Sequence, residues 1–224
     1  MSSTFITIWI AILAFDALLV YGLTWAATSK RYSKYRLRTP GPKQPLPARK
    51  FLNTMLNNVL ALLIFISFLY FFGDTWLHDD WPGAAHFLGE VLAVLLLYDC
   101  AYYFYHRSLH HPKVMRHVHG VHHFVRFPLA DESIYLHPAE QIGALCMLLG
   151  AMVLFGPISA ASFLAIFFIH STVNIIVHCN LVFPHPAFRL FNFWVEKHDV
   201  HHRKVRNNYA SIFPFWDFAF GTYE

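Results

Sequence analysis

The sequence predicts an all-α integral membrane protein with about four to five transmembrane or membrane-embedded helices and a cytoplasmic, histidine-rich helical cap. Three observations predict it. Hydrophobic residues make up 56% of the 224 residues and charged residues only 13%, with mean hydropathy +0.40. An ordinary soluble domain carries about 25% charged residues. The apolar residues gather into runs of the length that crosses a bilayer, roughly 20 residues for a helix. The 16 histidines are clustered, and the clusters follow the ends of those runs.

The elements follow in order. Thr4 to Thr28 is a first span despite Asp16. Without a basic start or an A-x-A site it reads as a retained helix and not as a cleaved signal peptide. Phe51 to Phe72 is a clean second span, and Ala84 to Tyr105 a third, interrupted by Glu90 and Asp99. From Gln141 to His178 there are 38 residues without Asp, Glu, Lys or Arg, the length of two short crossings, with Gly156-Pro157 marking the turn. Pro40, Pro42, Pro45 and Pro47 predict an extended connector over Thr39 to Ala48. The segment from Arg107 to Glu140 is polar, His-rich and expected to be partly helical. The whole reads as one membrane domain over 1–224. Residues 1–105 hold the N-terminal helices and basic loop, 106–140 two histidine motifs, 141–178 a hairpin of spans, and 179–224 a C-terminal cap with a third motif.

Charge orients the spans. Lys30, Arg31, Lys34, Arg36, Arg38, Lys43, Arg49 and Lys50 stand between Asp16 and Asp74 with no acid among them, whereas the next connection has Asp74, Asp79 and Asp80 and no Lys or Arg. The positive-inside rule puts the first loop in the cytoplasm. Alternating crossings then bring every histidine motif and the C-terminus to the cytoplasmic side. A net charge of +4 would suit nucleic acid, but this topological segregation argues against it. Cys100, Cys146 and Cys179 form no CxxC pair and read as small buried side chains.

Three motifs carry the chemistry: His106-x-x-x-His110, His119-x-x-His122-His123 and His198-x-x-His201-His202. On a helix, positions i, i+3 and i+4 share a face, so three short helices can each present imidazoles to one polynuclear site. Imidazole suits iron, zinc, copper and nickel. Eight imidazoles exceed the four ligands of a tetrahedral zinc and suit two metals of higher coordination number with positions left for oxygen. His111 and His117 fall off the shared faces, and His78, His86 and His185 read as interface or loop residues.

The order of these motifs resembles the fatty-acid hydroxylase/sterol desaturase superfamily. The likeness extends to His106-Arg107 through His111, to Tyr135-Leu136-His137-Pro138-Ala139-Glu140, to Asn207-Asn208-Tyr209, and to Trp216-Asp217-Phe218-Ala219-Phe220-Gly221-Thr222, covering about Leu96 to Thr222. Ala210 departs from it, where the family often has Gly. The resemblance implies two iron ions, zinc being able to replace them in a purified sample. It implies O2 as cosubstrate and a lipid substrate (a sterol, fatty acyl chain or relative) that is hydroxylated or desaturated. No flavin, haem or cytochrome domain is recognisable, so electrons are expected from a separate ferredoxin, cytochrome b5-like protein or reductase. By resemblance His178 joins the ligands and His137 is a ligand or a supporting group. His170 is either a deeper ligand or a polar residue bonded inside the bundle. Bound imidazoles usually give their other N–H to a carboxylate, backbone carbonyl or water. Asp99, seven residues before His106 on the same face, is the first candidate acceptor, its alternative being a bond to a neighbouring helix. Glu140 and Asp199 follow. Two other readings are a membrane zinc hydrolase and a non-enzymatic metal or haem carrier. Neither an HExxH motif nor histidine pairs within facing spans supports them.

Overall fold

The computed structural model describes residues 2–39 and 44–224. Five helices are long and apolar enough to cross a membrane: α1 (Ser3–Thr28), α2 (Pro47–Trp76), α3 (Ala84–Leu109), α5 (Pro138–Phe155) and α6 (Ala160–Val177). Among the described residues there are three further α-helices: α4 (Pro112–His117), α7 (Arg189–Lys204) and α8 (Phe215–Ala219).

Helices are the required solution, because lipid offers no partner for a free N–H or C=O. Their ends obey local rules. Ser2 caps α1 by accepting from the Phe5 amide, and Ser159 caps α6 by accepting from the Ser162 amide. Pro47 and Pro138 open α2 and α5, where the missing N–H costs nothing. The α5–α6 hairpin turns at Gly156, whose φ of 114° a side chain would resist. Of the proline connector, Pro40 to Lys43 lie outside the described residues, and Pro47 already belongs to α2.

α3 packs on α5 and α6, α1 on α6, and α2 on α5. Away from the histidines the core is aromatic: Trp9, Phe65, Phe68, Phe163 and Phe167 meet with centroid distances down to 4.9 Å. At that end the loops pair as two parallel two-residue strands, β1 (Leu77–His78) against β2 (Ile158–Ser159). The outer faces of α1 and α2 expose Leu18, Tyr21, Leu63, Tyr70 and Phe71, as lipid-facing surfaces do.

The opposite end is tied by polar contacts. The Arg38 amide donates to Asn180 Oδ1 at 2.9 Å, and Asn180 Nδ2 donates back to the Arg38 carbonyl at 2.8 Å. Lys50 Nζ reaches Asp131 at 2.7 Å, and Asn57, buried in α2, donates to the Ile134 and Leu136 carbonyls. These contacts collect the segment 106–140 and helix α7 over the ends of the spans.

The expectation of three short helices, one per motif, is corrected. The third span runs beyond Tyr105, so His106 lies in its last turn and His110 is its C-cap. His119, His122 and His123 sit on a 3₁₀ turn, His119–Phe124, and only the third motif rides a separate α-helix, α7.

Candidate metal centre

Nine imidazoles converge in two groups. His106, His110, His119, His123 and His201 form one; His122, His178, His198 and His202 form the other. Each group offers one nitrogen per residue, all within 4.8 Å of one another. Both HxxHH motifs are therefore divided. The i and i+4 rings go to one group and the i+3 ring to the other, with opposite assignments for the two motifs.

The nitrogens that meet are all Nε2. In the first group His119 Nε2 lies 3.1 Å from His106 Nε2, 3.0 Å from His110 Nε2 and 3.0 Å from His123 Nε2, and His123 Nε2 lies 3.1 Å from His201 Nε2. In the second, His198 Nε2 is 2.9 Å from His178 Nε2 and 3.0 Å from His202 Nε2, while His122 Nε2 is 3.3 and 3.2 Å from His178 and His202. Hydrogen bonds cannot account for this. A ring nitrogen carries at most one proton, yet His119 Nε2 has three close nitrogen neighbours. A shared cation can account for it. Two nitrogens about 2.1 Å from one ion and at right angles to each other are about 3.0 Å apart.

The other face of four rings is anchored. His106 Nδ1–H donates to the Tyr209 carbonyl at 2.8 Å, His119 Nδ1–H to Glu140 Oε1 at 2.8 Å, His178 Nδ1–H to the Asn174 carbonyl at 2.7 Å and His201 Nδ1–H to the Asn207 carbonyl at 2.7 Å. A carbonyl cannot donate, so in the three rings bonded to one, Nδ1 holds the proton and Nε2 presents its lone pair. Burial pushes His110 and His122 down to about 4 and His178 to about 3, and holds His123, His198, His201 and His202 well below the ordinary range. These seven rings are thus neutral, and available as ligands, at pH 7.

The Asn207–Phe213 segment that supplies two of those carbonyls is itself clamped. Asp217 accepts from the Tyr209 and Ala210 amides at 2.7 and 3.0 Å. Buried Lys197 donates to the Ala210 and Ser211 carbonyls at 2.7 and 3.2 Å. Asp99 accepts from the Ile212 and Phe213 amides at 2.7 and 3.3 Å.

That last contact corrects the role expected for Asp99. Seven residues of helix rise about 10 Å, too far for a carboxylate to reach the His106 ring. Asp99 instead holds the loop whose carbonyl holds that ring. Of the three candidates, Glu140 is the carboxylate that touches an imidazole of the two groups. Asp199 pairs with Arg38 and Arg203 and not with a histidine. His137 caps α5, its Nδ1 accepting from the Ala139 amide, and lies outside both groups. His170 is 3.1 Å from the Tyr98 hydroxyl, inside the bundle and outside both groups. Lys197 and the Asn174, Asn207 and Tyr209 carbonyls escaped sequence reasoning. A backbone carbonyl leaves no residue signature, and Lys197 reads as one more charge on an amphipathic helix.

A cavity of about 40 Å³ touches both groups, bounded by His106, His122, Tyr102, Val173, Val177 and Ser211. It opens between the rings and the inner faces of α3 and α6.

The fatty acid hydroxylase family model matches residues 91–222. The chain is 28% identical over 200 residues to methylsterol monooxygenase 1 of Rattus norvegicus, covering 84% of this chain and 67% of that protein. It is 32% identical over 190 residues to a cholesterol 25-hydroxylase-like protein of Danio rerio, covering 75% and 72%. It is 29% identical over 191 residues to fatty acid hydroxylase domain-containing protein 2 of Macaca fascicularis, covering 80% of this chain but only 54% of that relative. No solved structure matches. The family match takes in both HxxHH motifs, the HxxxH motif and the clamped loop, and it spans more than half of the sequence: this chain belongs to the fatty acid hydroxylase family.

Proposed function

We propose that the protein is a membrane di-iron oxygenase that hydroxylates or desaturates a lipid, a sterol or fatty acyl chain, with O2 and with electrons from a separate donor. The single observation that carries the reading is the division of nine Nε2 atoms into groups of five and four. A five- or six-coordinate ion has cis ligand nitrogens about 3.0 Å apart, whereas a tetrahedral ion spreads them to about 3.4 Å. The spacings of 2.9 to 3.3 Å favour the former and leave positions free for oxygen. A tetrahedral hydrolytic zinc would use three protein ligands, not five and four.

Iron held there supplies the chemistry the side chains lack, activation of O2 toward an unactivated C–H bond. The chain's own residues set the stage for it. The Nδ1–H bonds fix ring tautomer and aim. Val173, Val177 and Tyr102 give the cavity an apolar side toward α3 and α6, which admits a lipid carbon and disfavours water.

All 17 Lys and Arg residues fall within 30–50, 107–126 and 189–206 of the sequence, the described ones at the histidine end, and none in 77–83 or 156–159 at the other. This supports a cytoplasmic site, where a soluble or membrane-anchored electron donor can reach it.

The test is metal and product together. Protein purified anaerobically and loaded with ferrous iron is expected to hold two irons per chain and to consume O2 with formation of a hydroxylated or desaturated lipid in cell extracts. His122→Ala is expected to insert in the membrane and lose that product. Two tetrahedral zinc ions with no iron-dependent O2 uptake would refute the assignment.

A further inference from the structure

At the end of the bundle opposite the histidine groups, Glu90 is only 1% exposed. Its two oxygens have different fates. Oε2 accepts from the Ser159 amide at 3.1 Å and from the Ser159 hydroxyl at 3.0 Å. Oε1 is buried with no hydrogen-bond partner. It faces two imidazoles, His86 Nε2 at 3.3 Å and His78 Nε2 at 3.9 Å. A buried carboxylate oxygen left without a hydrogen bond carries the full cost of its desolvation, so such an atom calls for a partner. None of these residues belongs to the metal centre described above, and the length of α3 separates Glu90 from His106.

The geometry points to a second, mononuclear metal site formed by His78, His86 and Glu90, binding a zinc-like divalent cation at the membrane face opposite the histidine groups. Two imidazoles and one carboxylate with a free fourth position form a known zinc donor set. Donor atoms about 2.1 Å from one tetrahedral ion are about 3.4 Å apart. The His86 contact already has that spacing, whereas His78 lies 3.9 Å from Oε1 and its exposed ring must swing toward His86 to complete the set. Ser159 supplies the outer hydrogen bonds that orient a ligating carboxylate. The backbone segments that carry the three donors are fixed relative to one another. His86 and Glu90 are one turn apart on α3, and His78 is held by the β1–β2 pairing. Both imidazoles are accessible, His86 at 68% and His78 at 41% side-chain exposure, so the ion enters from solvent. The loop in between holds Asp79 and Asp80, with Asp74 just before it and no Lys or Arg, a field that concentrates cations. The bound ion would staple β1 to α3.

The experiment uses the full chain in detergent with its histidine groups loaded with iron, then titrated with zinc. Bound metal is counted after gel filtration, and thermal stability is followed with and without zinc. We expect one zinc per chain beyond the iron and a zinc-dependent rise in Tm, as for any ligand of the folded state. His86→Ala and His78→Ala, at exposed positions, are expected to lose both the extra zinc and the Tm rise while keeping the iron. Glu90→Gln is expected to do the same if it folds, but the histidine variants decide alone. No extra zinc in the native chain, or extra zinc retained by His86→Ala and His78→Ala, overturns the site. Because iron content is read separately, failure here leaves the oxygenase reading standing, and loss of iron binding leaves this one.

Discussion

Replacing Glu140 by alanine tests the centre where its support is most specific. Glu140 opens α5, is buried, and accepts the Nδ1–H of His119 at 2.8 Å. His119 is the hub of the five-histidine group, with three Nε2 neighbours. Losing a hydrogen bond to a charged group costs about 1.5–3 kcal/mol. At 1.36 kcal/mol per tenfold that is roughly a 10- to 150-fold loss of affinity. The direct expectation for removing an outer partner of a ligating histidine is about 10–100-fold. The two routes agree. Glu140→Gln keeps an acceptor oxygen in place and loses only the charge, so its loss is expected near the lower bound. The assay is anaerobic dialysis of iron-loaded protein against graded chelator. The alanine variant is expected to release one iron first, since Glu140 touches no ring of the other group. If Glu140→Ala retains both irons within about twofold of the native affinity, the anchoring role assigned to this carboxylate is wrong.

Other perturbations follow from the same geometry. Lys197→Ala strips the Ala210 and Ser211 carbonyls of their charged donor. Losing a hydrogen bond to a charged group costs about 1.5–3 kcal/mol, read as a lower Tm and as iron lost through the Tyr209 and Asn207 carbonyls that hold His106 and His201. Gly120→Ala would place a Cβ 2.5 Å from the Met115 carbonyl oxygen, which is backbone and cannot swing aside. The 3₁₀ turn must shift, at a cost of about 1–3 kcal/mol, and iron content is expected to fall with it. For pH, burial lowers His110, His122 and His178 from the ordinary 6.5 to about 4, 4 and 3. The unfolded chain therefore binds protons that the folded one refuses. Stability of the metal-free protein is expected to be flat above pH 6.5 and to fall as pH drops toward 4, measured by thermal unfolding. Iron retention should fall over the same range, because a protonated ring cannot ligate.

Much of the architecture could be read along the chain, because lipid imposes a one-dimensional rule. A run of about 20 apolar residues must become a helix that satisfies its own backbone. The five helices follow from that rule, and the Gly156 turn from the length of the fourth apolar run. The motif histidines were legible too, since no local structural need explains HxxxH and two HxxHH in one chain.

Their division was not legible. Helical periodicity puts His198, His201 and His202 on one face, yet His201 serves one group and the other two serve the second. A turn of 3.6 residues separates i+3 from i+4 by about 100°, so two ions can compete for one face. On the 3₁₀ turn, i+3 eclipses i, and still His119 pairs with His123 rather than with His122. Which ring goes where depends on what surrounds it from distant parts of the chain. Glu140, Asn174, Asn207 and Tyr209 hold four rings, and Asp99, Asp217 and Lys197 hold the loop behind two of them. The sequence by itself determined the helices and the donor atoms, because hydrophobicity and side-chain chemistry are local properties. The tertiary structure alone decided the five-and-four partition and the choice of Glu140 over Asp99, because a hydrogen bond depends on distance in space, and helix rise and loop closure are not written in residue order.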